Sequence, residues 1–149
     1  MSLVRRITVG LVASAGLLLA SVVPASALPI TPGVPFTVAL TGAAEVPGPG
    51  DPDGSGTATL TINPGTGQVC STIEVTDVDP LRAAHIHVGS ATVAGPVVVP
   101  LNTGTGCTVV EDRELLVAII TDPSSYYVNV HNATYPAGAL RGQLDQPGL

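Results

Sequence analysis

Short runs of alternating apolar and polar residues, cut apart by Gly, Pro, Asn and Asp, recur along most of this chain and leave few folds open to it. A period of two puts one class of side chain on each face of a β-strand. Phe36–Thr41 is such a run. Thr57–Ile62 is another, with Ala58, Leu60 and Ile62 on one face and threonines on the other. Asn63–Gly67 reads as a tight turn whose glycines supply positive φ. Gln68–Thr76 then returns with Ile73 and Val75 inward, which predicts a hairpin. Ala83–Val88, Tyr126–His131 and Ala139–Leu144 are further strands. Pro96–Leu101 is apolar enough to predict burial on both faces. One stretch, 111–121, has apolar residues four apart (Leu115 and Ile119, Leu116 and Ile120) and Asp112 placed to cap a helix. Its LLVAII core suits a strand almost as well by propensity. About seven or eight short strands, one short helix near 111–121 and no βαβ rhythm predict an all-β fold, an antiparallel Greek-key β-sandwich. With one Phe, three Tyr and no Trp, its core must be built mainly of Val, Ile, Leu and Ala.

The N-terminus reads as a processing segment. Arg5 and Arg6 precede an apolar run from Ile7 to Val23, and Ala25-Ser26-Ala27 is a small-x-small cleavage site. Residues 1–27 are therefore expected to be a signal peptide cut after Ala27, with 28–149 as one domain. No other apolar run is long enough for a transmembrane helix. The expected product is secreted to the extracellular space or cell envelope. Its three arginines stand against eleven acidic residues with no lysine, a net charge of −8. Such a domain has no means of neutralising phosphates, so nucleic acid is not an expected partner. Cys70 and Cys107 are the only cysteines. An even count in an exported chain points to a disulfide between them, with two free buried thiols as the alternative.

Chemistry is concentrated in two segments, AAHIHVG at 83–89 and YYVNVHNATYPAGALRGQL at 126–144, which hold all three histidines. If Ala84, Ile86 and Val88 face the core, His85 and His87 leave by the opposite face. If Val128 and Val130 face the core, Tyr127, Asn129 and His131 do the same. On neighbouring strands the three imidazoles would converge, and three nitrogen donors suit copper or zinc. The competing reading is a hydrogen-bonded polar face without metal. Arg141 suits either bidentate anion binding or an ion pair with one of the acids. Gly142, between Leu140 and Leu144, suits close backbone approach. Asp51–Gly56 has the flavour of a calcium loop, but the position that would need a bidentate Glu is Ile62. Asn132-Ala133-Thr134 is a glycosylation sequon. No nucleophile elbow, phosphate loop or dinucleotide motif is present.

These segments, with GPVVVPL at 95–101 and FTVALTGAAEVP at 36–47, resemble the CHRD domain, the module named from chordin and found also as single-domain exported bacterial proteins. The resemblance spans nearly all of 28–149. It implies an immunoglobulin-like or superoxide-dismutase-like sandwich and brings no settled activity. The HIHVG segment also looks like the copper-binding strand of Cu/Zn superoxide dismutases. Those enzymes use four copper histidines, and this chain has three histidines in total.

Two expectations follow. The first is a non-catalytic exported module that contacts an extracellular protein or cell-envelope ligand through His85, His87, His131, Arg141, Tyr127, Asn129 and Gln143. The second is a copper or zinc protein with His85, His87 and His131 as ligands and at most weak dismutase-like activity.

Overall fold

The computed structural model describes residues 32–145. The proposed signal peptide lies outside the described residues. Eight strands form one antiparallel sheet: β1 (Val34–Thr41), β2 (Ser55–Asn63), β3 (Gln68–Thr76), β4 (Ala83–Val88), β5 (Val97–Leu101), β6 (Thr105–Val109), β7 (Tyr126–His131) and β8 (Leu140–Gln143). Their spatial order is β5-β4-β7-β8-β1-β2-β3-β6. The chain thus builds the sheet as two blocks, β1-β2-β3 and β4-β7-β8, joined where Thr41 meets Arg141. The sheet folds over on itself in the manner of a sandwich. Its two edge strands meet, and Thr108 Oγ1 donates to Pro100 O at 2.8 Å.

The alternation predicted from sequence is what the hairpin β2–β3 obeys. Leu60 and Ile62 are fully buried, and the intervening Thr59 and Thr61 are exposed. Thr59 pairs with Thr72 across the ladder, and Asn63–Gly67 turns the chain. Gly67 takes φ +68°, a left-handed conformation in which other residues are strained. One core cluster gathers Phe36, Leu40, Leu60, Val99, Leu116, Ile119, Val128 and Leu140 from all parts of the sheet and from the helix. Burying each such side chain contributes about 1.5–3 kcal/mol.

The ambiguous LLVAII stretch is helical. α1 spans Arg113–Thr121, and Asp112 accepts a hydrogen bond from the Leu115 amide at 2.9 Å. That cap satisfies one of the orphan donors at the helix start and so favours the helix over a strand. Leu116 and Ile119, three apart on one face, are fully buried.

Cys70 and Cys107 stand opposite each other in the β3–β6 register and are joined by a disulfide. Gly142 faces inward where β8 crosses β1. A Cβ there would lie 2.1 Å from Ala39 O, so no side chain fits.

One expectation fails. The 96–101 run is an edge strand and is not buried on both faces. Val99 is buried, but Val97 is 48 % exposed. The prolines at 96 and 100 explain this. Neither can donate to a ladder, so the run is confined to an edge despite its apolar character.

Among the described residues, no helix is long and apolar enough to cross a membrane.

Candidate metal centre and its buried surround

Strand parity sets the site. Ala84, Ile86, Val128 and Val130 are buried in the core. The odd-numbered residues of β4 and β7 therefore point to the other face. The register aligns His87 with Tyr127, His85 with Asn129, and Ala83 with His131. Asn129 and Tyr127 in turn face Arg141 and Gln143 of β8. Every member of the polar set sits on one three-strand patch.

The three imidazoles converge. His85 Nδ1 lies 3.2 Å from His131 Nε2. Ring centroids are 5.1 Å apart for His85 and His131, 5.6 Å for His85 and His87, and 6.1 Å for His87 and His131. One nitrogen from each ring lies within 4.8 Å of the others. Two donors on one ion at bonds of about 2.1 Å can be no more than about 4.2 Å apart. The His85–His131 pair meets that limit. The full set of three lies within 4.8 Å, slightly wider than that limit.

The outer nitrogens are already engaged. His87 Nδ1 is 2.9 Å from Gly95 O, and His131 Nδ1 is 3.2 Å from Pro136 O. A carbonyl only accepts, so in both rings Nδ1 carries the proton and Nε2 keeps its lone pair. This is the outer-shell arrangement that orients metal-binding imidazoles. His87 Nε2 is buried and has no hydrogen-bond partner. A bare buried acceptor costs free energy unless something occupies it. In the metal-free state His85 Nδ1–H donates to His131 Nε2. To share an ion, His85 would shift its proton to Nε2. Burial lowers the pKa of His85 and of His131, and the neighbouring imidazoles lower them further. Neutral rings with free lone pairs are what a transition metal requires. Among the described residues, this is the only group of three or more His, Cys, Asp or Glu placed to hold an ion. The Asp51–Gly56 segment forms no such group.

The remaining polar residues lie inside the molecule. Arg141 is 1 % exposed, Asn129 2 % and Tyr127 3 %. Two loops cover the face that alternation assigns to solvent. Residues 89–95 lie over Tyr127, and residues 42–50 bring in Glu45. The Arg141 guanidinium sits 3.4 Å from the centre of the Tyr127 ring, and Tyr127 stacks on His87 at 4.8 Å and 14°. Arg141 donates to Ser90 O, Val93 O and Gln143 Oε1. Neither an exposed anion site nor a direct ion pair describes it. A partner approaching this face would meet the covering loops first.

Glu45 is the residue that sequence reasoning missed. It lies in the Gly- and Pro-rich stretch after β1, which reads as a surface loop. The AAEVP stretch of the CHRD resemblance carried it, but nothing in alternation or spacing singled it out. Glu45 is 7 % exposed and accepts a hydrogen bond from Asn129 Nδ2. Gly138 leaves room for its carboxylate, since a Cβ there would lie 2.4 Å from Oε2. Burial pushes its pKa up to about 7, against the opposing pull of Arg141 and of the Asn129 hydrogen bond.

Asn132 of the sequon is also buried, and its Oδ1 accepts from the Tyr135 amide at 2.7 Å. In the folded chain it is a turn residue inaccessible to a glycosylating enzyme.

The CHRD domain family model matches residues 36–144. No curated protein and no solved structure matches the chain.

Proposed function

The chain belongs to the CHRD domain family, and from that premise and the imidazole cluster we propose that it is an exported, non-catalytic β-sandwich module that holds one transition-metal ion. His85, His87 and His131 are the ligands. Copper is favoured over zinc, because imidazole sites bind Cu²⁺ most tightly among the divalent first-row metals. Export rests on the Arg5-Arg6 pair, the apolar run that follows and the Ala25-Ser26-Ala27 cleavage site. The Cys70–Cys107 disulfide fits an oxidising compartment. The observation that carries the metal reading is the backbone tether on His87 and His131: each has Nδ1 on a carbonyl and Nε2 left as an acceptor. His85 and His131 are only half-buried, so an ion and a water as a further ligand could reach the cluster from solvent. With three imidazoles where the dismutases use four copper histidines, dismutase-like turnover should be weak at most.

The test is the metal content of protein purified without chelator or affinity tag, followed by calorimetry with Cu²⁺ and Zn²⁺. Binding tighter than micromolar that is lost in His85→Ala supports the reading. Weak binding that His85→Ala leaves unchanged would end it.

A second reading, capture of an extracellular protein or cell-envelope ligand, draws on Val93, within the loop that covers the polar set, and Val97, just after it, each 48 % exposed. Unchanged retention at the cell envelope in a Val93→Ser, Val97→Ser double variant would remove it.

A further inference from the structure

We propose that Arg141 and Gln143 are the positioning residues of the imidazole site, acting on His87 through the segment 89–95. The inference rests on the metal reading above and deepens it.

The segment from Gly89 to Gly95 joins β4 to β5 and has no ladder of its own. Backbone bonds from Val93 N to Ser90 O and from Gly89 N to Ser125 O hold part of it, and side chains take its carbonyls at Gly89, Ser90, Val93 and Gly95. Gln143 Nε2 donates to Gly89 O at 2.8 Å. Arg141 Nη2 donates to Ser90 O at 2.7 Å, and Nη1 to Val93 O at 3.1 Å. The Tyr127 hydroxyl and His87 Nδ1 both donate to Gly95 O, at 3.3 and 2.9 Å. Gly95 N in turn donates to the Tyr127 oxygen at 3.1 Å.

Gly95 O is thus the end of a chain of contacts that begins on β8. A planar guanidinium with two donors directed at two carbonyls fixes a segment in a way a single ammonium cannot. Gln143 also donates to Ser124 O and Tyr126 O, so it ties the segment to the start of β7. A Cβ at Gly95 would lie 1.6 Å from Val88 O, so only glycine lets the segment pass this close to β4. β7 lies between β4 and β8, so the Tyr127 ring is stacked between the His87 imidazole and the Arg141 guanidinium. Ring plane and tautomer of His87 are both set by this arrangement. Without Gly95 O in place, the proton would distribute between the two nitrogens and the ring would turn.

The test uses the full exported chain, ¹⁵N-labelled and metal-free, with imidazole nitrogen shifts read at mildly alkaline pH. In the wild type, His87 should hold the Nδ1–H form. In Arg141→Lys and in Gln143→Leu it should average between tautomers. His131 takes its carbonyl from Pro136 and should not change. Cu²⁺ affinity should fall by about 10–100-fold in the same variants, the usual cost of losing an outer-shell contact. A fixed Nδ1–H form in both variants, or a released tautomer with unaltered Cu²⁺ affinity, would overturn the proposal. If Arg141→Lys does not fold, Gln143→Leu decides the matter alone. If the tautomer is fixed in the wild type and released in the variants, yet neither Cu²⁺ nor Zn²⁺ binds, the clamp stands and the metal reading falls.

Discussion

Glu45 and Asn129 meet inside the molecule across 84 residues of sequence, with Asn129 Nδ2 donating to Glu45 Oε1. The contact ties the loop after β1 to the central strand of the other block. It also places an ionisable group where ionisation is costly.

The pH dependence follows from that position. The Glu45 pKa rises from 4.5 in the unfolded chain to about 7 in the fold. Its contribution to stability is therefore fully present below pH 4.5 and is lost as pH rises through about 7. The size of that loss is about 3 kcal/mol, at 1.36 kcal/mol per pKa step. His85 and His131 act in the opposite sense. Their lowered pKa values mean that stability falls as pH drops below the ordinary histidine value of 6.5. Glu45→Gln should remove the loss that runs between pH 4.5 and about 7 and leave the opposing loss from His85 and His131 in place. Urea denaturation from pH 4 to 8, wild type against Glu45→Gln, reads the difference. A wild-type-minus-variant stability difference that stays constant from pH 4.5 to 7 contradicts the assignment.

Gly142→Ala should destabilise the fold by about 1–3 kcal/mol, the usual cost of overpacking. The added methyl would lie 2.1 Å from Ala39 O and 2.6 Å from Val38 Cγ1, where β8 crosses β1. Gly104 has nothing within 4 Å of the same position, so Gly104→Ala carries no steric cost and serves as the control. Thermal midpoints of the two variants side by side decide this. Equal midpoints would show that the β1–β8 contact yields.

Removing the disulfide with Cys70→Ala and Cys107→Ala should cost about 4 kcal/mol in the chain-entropy model, for a separation of 37 residues. The β3–β6 ladder pairs Gln68–Thr72 with Thr105–Val109, so backbone pairing joins these strands beside the disulfide. The double variant should fold to the same structure at a lower denaturant midpoint. A midpoint unchanged from the oxidised wild type would mean that the unfolded chain is already confined by other contacts.

Much of the fold was legible because one face of most strands is apolar and the other is not. The β2–β3 hairpin, the inward Gly142, the Asp112 cap and the common direction of His85, His87 and His131 all follow from period and turn chemistry. The surround of the site was not legible, for a physical reason. Alternation tells which side chains leave the core, but not whether a loop then covers them. Arg141, Asn129 and Tyr127 point away from the apolar cluster as their parity requires, and are buried all the same. Glu45 was hidden by its neighbours, since Pro47, Gly48, Pro49 and Gly50 read as a solvent loop. The 96–101 run misled through hydropathy, because Pro96 and Pro100 override it by lacking amide donors.

The meeting of β5 and β6 has a consequence for the behaviour of the protein in concentrated solution. An open sheet offers bare amides and carbonyls to any passing strand, and so seeds fibres. Here the two strands that would be exposed lie against each other, and one of them carries a proline at 100. Thr108 occupies the Pro100 carbonyl and Pro100 has no amide to offer, so this edge has fewer free groups with which to take up a further strand.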